Sequence, residues 1–285
     1  MHELTALREA RFTPTTISSF LRASYDRAAL SRAERPGLAA QSRRWIVIGT
    51  LATLALREIA ARQCKPVPQR NTMLAWLTLQ ALMLDWHLGM LETPSGERRD
   101  ALSAADALTL TRAAIAPLAA AAPPDRGWFI LLLGLGGMTD LLDGRVARRS
   151  GPTRFGRDFD SLADLAFRFA AIRGAGREHW IDQAAYRALT ARQALFAGRA
   201  LWYWFARSQR PPPDSQPLDR WHVPMLLVGL GSGALGHNRT GSRLVTVSAI
   251  VGSIGLAGLS PRHGSTSQAG HASRERPSTA RSPIS

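Results

Sequence analysis

Cysteine, lysine and long uninterrupted apolar runs are scarce in this 285-residue chain. Cys64 is the only cysteine, which excludes an intramolecular disulfide and any cysteine-cluster metal site and leaves a structural thiol as its reading. Lys65 is the only lysine, so nearly all of the positive charge behind the formal net charge of +15 is arginine. That sign points to anionic partners: nucleic acid, phospholipid headgroups or phosphorylated metabolites. It decides little alone, because arginine-for-lysine usage can equally reflect codon bias. The opening MHELTALREARF is charged and has no apolar core of signal-peptide type, so no cleaved leader is expected. No Gly-rich nucleotide loop, Ser/His/Asp arrangement or internal repeat is apparent. The mean hydropathy of −0.09, taken alone, favours a soluble protein.

The average hides a partition. Residues 1–43 are polar and Arg-rich, with an amphipathic helix expected between Pro14 and Pro36, cytoplasmic or on a membrane surface. Apolar segments then begin at Trp45 and Met73, and after ETPSGERRD six more begin at 107, 128, 160, 188, 223 and 244. Several fall short of the ~20 residues an isolated membrane span needs, but polar positions facing a bundle interior can make up the length. Trp128, Trp221 and LWYWF at 201–205 resemble interfacial anchors, and the small residues of GLGSGALG and GSIGLAG allow close helix approach. The expectation is an all-α polytopic membrane bundle. Its parts are a polar segment 1–43, extra N-terminal apolar helices in 44–100, a six-helix core 101–260 and a disordered tail 261–285. Arg145, Arg148, Arg149, Arg154 and Arg157 crowd one connection, which the positive-inside tendency places in the cytoplasm.

That connection is bracketed by four aspartates. On a helix over 128–149, Asp140, Asp143, Gly144 and Ala147 share one stripe. On the next, Gly156, Asp160 and Asp164 share another. A short connection makes the two helices antiparallel neighbours, so the stripes can oppose each other. Four carboxylates so close cannot all stay ionised without cations. A set of hard oxygen donors lacking His and Cys suits Mg²⁺ or Mn²⁺ better than zinc. Gly144, Ala147 and Gly156 would leave gaps for a bulky phosphate ester, with Arg148 and Arg154 meeting its remaining charge. The plainer reading is a solvated helix end whose aspartates pair with nearby arginines.

These residues resemble the signature of the CDP-alcohol phosphatidyltransferase family: Asp140, Asp143-Gly144, Ala147-Arg148, Gly156, Asp160, Asp164, with the Arg-to-Gly spacer one residue shorter than usual. DALTLTR at 106–112 is similar to the opening of the family's first core helix, and six apolar segments match its membrane core. The resemblance implies transfer of a substituted phosphate from a CDP-linked donor, usually CDP-diacylglycerol, to an alcohol, with release of CMP. It implies that Asp140, Asp143 and Asp160 hold two divalent ions and that Asp164 serves as ligand and general base. It also implies a membrane setting with the site open to the cytoplasm, lipid and small-alcohol partners, no nucleic acid, and a homodimer admitted by the small-residue faces. Competing readings are another Asp-rich Mg-dependent diphosphate enzyme, such as a prenyl transferase, or a catalytically silent membrane binding protein. Elsewhere, Arg112, Arg168, Arg192 and Arg199 lie within apolar segments and must meet an acceptor phosphate, a bundle carboxylate or the interface. Asp85 and His87 read as packing or interfacial residues, and His222 and His237 as segment-boundary residues.

Overall fold

A computed structural model describes residues 2–93, 95–151, 153–207 and 219–257, apart from the side chains of 2–4, 148–150, 219–220 and 257. The tail from 261, expected to be disordered, lies outside the described residues. Among those described there are ten α-helices and no strand. They are α1 (His2–Glu9), α2 (Pro14–Glu34), α3 (Pro36–Arg62), α4 (Arg70–Trp86), α5 (Ala104–Ala121), α6 (Arg126–Ser150), α7 (Arg154–Arg177), α8 (Gln183–Leu201), α9 (Asp219–Ala234) and α10 (Asn238–Ala257). A 3₁₀ turn, Leu88–Met90, follows α4, and a π-helical turn, Trp202–Ala206, ends α8. The stretch from Pro14 to Pro36 does form a helix, α2, opened by Pro14 at a position where a missing N–H costs nothing. Each apolar segment lies on one of α3 to α10; α1 has no such signal in the sequence.

The centre of the fold is α5. Spacing alone suggested that α6 and α7 face each other, but both pack chiefly on α5, which sits in the angle between them. The reason is steric: the buried positions Ala113, Ala114, Ala116 and Ala119 carry only methyl groups, so a helix can approach from either side. Where α6 and α7 do meet, Gly136 lies under the Phe167 ring, and a Cβ at 136 would stand 2.2 Å from it. The chain turns from α6 into α7 through Gly151, whose φ of +81° few other residues adopt, and Thr153, whose hydroxyl accepts from Gly156 N at 2.9 Å.

Two contacts fix α5 to the N-terminal helices. Pro117 lies inside α5 and has no N–H to give the carbonyl four residues earlier, that of Ala113. The Trp76 indole on α4 donates to that carbonyl at 2.8 Å, and Gln80 one turn on donates to Leu110 O at 2.7 Å. At its start α5 is closed by a capping box between Ser103 and Asp106, while Gln41 of α3 both accepts from Leu102 N and donates to Leu102 O.

Arg112, Asp143, Arg192, Gln193, His222 and Ser248 are buried, whereas Ile48, Leu51, Leu131, Met138, Leu195 and Val228 on the helix exteriors are exposed. No helix among the described residues is long and apolar enough to cross a membrane.

Candidate active site

The site forms where Arg112, just over two turns into α5, reaches the acidic stripes of α6 and α7. Its guanidinium donates to Asp140 at 2.6 Å and to Asp143 at 2.5 Å, contacts Asp160, and lies 2.9 Å from Asp164. The second Asp164 oxygen accepts from Arg168, one turn further along α7, at 2.7 Å. Arg112 can do this because it is buried at the meeting of three helices, where its planar fork presents donors in several directions at once.

All four predicted aspartates are therefore brought together, but around a third helix rather than face to face. Asp140, Asp143 and Asp160 each turn one oxygen to within 4.8 Å of the others. Asp164 stands outside that trio, clamped between Arg112 and Arg168. The cluster is buried at Asp143 and opens outward at Asp140 and Asp160, whose side chains are 34% and 39% exposed. A solute can thus reach one end while the other stays dry.

Whether a divalent ion suits these residues can be judged from donors and charge. The donors are all carboxylate oxygens, the set hard cations prefer. Four carboxylates against the guanidinium groups of Arg112 and Arg168 leave an excess of two negative charges in a half-buried cluster, which favours a further cation. The residues fit Mg²⁺ or Mn²⁺.

Gly156 has a role different from an open gap. A Cβ there would lie 3.1 Å from Asp106 Oδ1 and 3.0 Å from Thr153 Oγ1, so its bare face lets the start of α7 close against the α5 capping box. Gly144 and Ala147 are half-buried on the α6 stripe beside Asp143. The Arg148 side chain, expected to meet donor charge, lies outside those described. Arg154 is engaged elsewhere: it donates to Glu92 at 2.6 Å, and its backbone N–H to Glu92 O.

Arg112 is the residue that spacing arguments left undecided. Its resolution lies in the DALTLTR stretch, which places an arginine two turns after a helix cap in an otherwise apolar run. Of the other residues singled out, Asp85 accepts from Arg32 at 2.5 Å and ties α4 to α2, and His87 contacts Met83 O. Arg199 lies over the Tyr203 ring. His222 lies in the first turn of α9, near the segment end as expected, and is buried with Nδ1 against Ser248 of α10.

Residues 102–254 match the family model described as CDP-alcohol phosphatidyltransferase. No curated protein and no solved structure matches the chain. The three converging aspartates, the helix that gathers them and more than half of the sequence lie within that match, and the chain belongs to the CDP-alcohol phosphatidyltransferase family.

Proposed function

We propose that the chain is a membrane enzyme of lipid synthesis that transfers a phosphatidyl group from CDP-diacylglycerol, or a similar CDP-linked lipid, to a small alcohol and releases CMP. Family membership supports phosphatidyl transfer from a CDP-alcohol to an alcohol, which favours this reading over a prenyl transferase. The observation that carries it is the convergence of Asp140, Asp143 and Asp160 at the open end of a buried cluster, with Asp164 held beyond them.

In this reading Asp140, Asp143 and Asp160 hold two divalent ions, which offset charge on the diphosphate and the departing CMP. Asp164 takes the acceptor hydroxyl's proton as its oxygen bonds to phosphorus and the bond from phosphorus to the CMP oxygen breaks. Arg112 and Arg168 grip one Asp164 oxygen each, fixing the carboxylate's direction, while each oxygen keeps a second lone pair for the proton. Gly144 and Ala147 leave room beside Asp143 for the donor phosphates, and Arg148 meets their charge.

The membrane setting is supported by the many exposed apolar residues on the helix exteriors and by charged and polar residues such as Arg112, Arg192 and His222 buried among the helices, and the arginine-rich α6–α7 connection supports a site facing the cytoplasm. The division into an N-terminal region and a six-helix core from 101 to 260, and assembly as a homodimer, belong to the same proposal. The test is incubation of purified protein with labelled CDP-diacylglycerol, Mn²⁺ and a panel of alcohols, followed by lipid analysis. A labelled phospholipid with matching CMP release is expected. Intact donor with every alcohol would defeat the reading.

A further inference from the structure

Between the 3₁₀ turn and α5, upstream of the family match at 102–254, the chain folds back on itself. Thr93 N–H donates to Glu97 O and Arg99 N–H to Leu91 O, and Gly96 turns the chain with a φ of +91°. Glu92 and Arg98 then pair as an antiparallel bridge between the two arms of a small hairpin. The hairpin is tied to the N-terminal helices by Arg35, where α2 passes into α3, which donates to Leu88 O at 2.9 Å and to Arg99 O at 3.2 Å. On its apolar side Leu88 and Leu91 share a buried cluster with Phe155 and Phe159 of α7.

This hairpin holds the turn between the two acidic helices at both of its ends. Glu92 takes Arg154, the first residue of α7, twice: its backbone O accepts from Arg154 N–H at 2.9 Å, and its carboxylate accepts from the guanidinium at 2.6 Å. Arg99 lies on the bare side of Gly151, the cap of α6, where a Cβ would stand 2.6 Å from Nη2. From these two points Asp143 lies roughly 12 Å back along α6 and Asp160 roughly 9 Å forward along α7, at ~1.5 Å per residue. Helices are stiff over such lengths, so the placing of the turn reaches both stripes.

We infer that Glu92 and Arg99 are positioning residues: by fixing the α6–α7 turn against the N-terminal helices, they set the spacing of Asp140 and Asp143 from Asp160. A pair of ions shared by carboxylates on two helices depends on that spacing, and groups that orient metal ligands from behind are typically worth about 10–100-fold in affinity. The inference deepens the transferase reading and rests on it for the ions.

The test separates position from charge. Arg99→Ala and Arg154→Gln each remove a positive charge, which by Coulomb attraction alone would tighten the binding of a cation or leave it unchanged. Both should instead weaken Mn²⁺ binding to the full chain about tenfold, read by electron paramagnetic resonance without substrate. Arg154→Lys, which keeps an ammonium for Glu92, should stay near wild type. A second readout needs no ion. Nitroxides at Leu141→Cys and Leu162→Cys, both exposed positions, in a Cys64→Ser background should give one narrow distance, broadened by Arg99→Ala. Mn²⁺ binding unchanged or tightened in both arginine variants, or a nitroxide distance indifferent to Arg99→Ala, would overturn the inference. Wild type that binds no Mn²⁺ would defeat the two-ion reading, and the nitroxide distances would then decide this one. CMP release reports on the transferase reading separately.

Discussion

The guanidinium of Arg112 stands 2.9 Å from the Asp164 carboxylate with only 1% of its side chain exposed, although the two residues belong to different helices. This contact joins the Asp140, Asp143 and Asp160 side of the cluster to Asp164, the carboxylate proposed as the base. It implies that removing Arg112 disturbs both halves of the site at once.

Arg112→Met should therefore cost both structure and activity. Removing one partner of a buried ion network typically costs about 3–5 kcal/mol. The carboxylates left behind should depend more on divalent cations. Thermal unfolding with EDTA and with Mg²⁺ checks this: the midpoint gap between the two conditions should be wider for the variant than for the wild type.

Asp164→Asn keeps the shape and the Arg168 contact while removing the basic oxygen. CMP release from CDP-diacylglycerol should fall by about 10²–10⁴-fold, the usual worth of a positioned base, with the unfolding midpoint little changed. Equal rates in wild type and variant would remove Asp164 from that role, and no release from either would favour a silent binding protein.

Stripping divalent ions should abolish CMP release, and Mg²⁺ or Mn²⁺ should restore it. Bound only by the folded state, an ion at about 100 times its dissociation constant adds roughly 2.7 kcal/mol of stability. Asp143→Asn should lose most of that increment, which calorimetry with and without Mg²⁺ would read without any substrate.

Gly136→Ala tests a close approach between α6 and α7. Its new Cβ would stand 2.2 Å from the Phe167 ring, which is buried and cannot swing clear. Overpacking of this kind costs about 1–3 kcal/mol, and the splayed acidic stripes should release CMP more slowly. The compensating pair Gly136→Ala with Phe167→Leu should recover part of both.

One pH effect follows from the turn between α5 and α6. Lys65 donates to Asp125 at 2.7 Å and, with the Trp128 N–H, holds that carboxyl below its ordinary value of 3.8. A depressed carboxyl contributes stability above its unfolded value, and that contribution disappears as pH falls through the folded one. Wild type should thus exceed Asp125→Asn in melting midpoint at neutral pH, and the two should converge well below pH 4.

The acidic stripes were legible because helical spacing alone puts Asp140 with Asp143 and Asp160 with Asp164. Which helix fills the angle between them was not, since that depends on the alanines of α5 being small enough for two neighbours at once. The same limit hid the end point of Arg112: sequence marks a costly charge in an apolar run, but its partners lie on other helices. The burial of His222 was not legible, because Ser248, which it meets, lies on another helix. Gly156 was read as space for a ligand, whereas Asp106, brought in by a cap on another helix, already occupies its bare side.

The bond from Trp76 to the carbonyl that Pro117 leaves open bears on how far the catalytic portion is autonomous. Residues 102–254 are the stretch that marks the family, yet one peptide group at the heart of that stretch is completed by a side chain encoded upstream of it. Cutting the chain at 102 would excise a recognisable sequence and take away the donor that the Ala113 carbonyl now has.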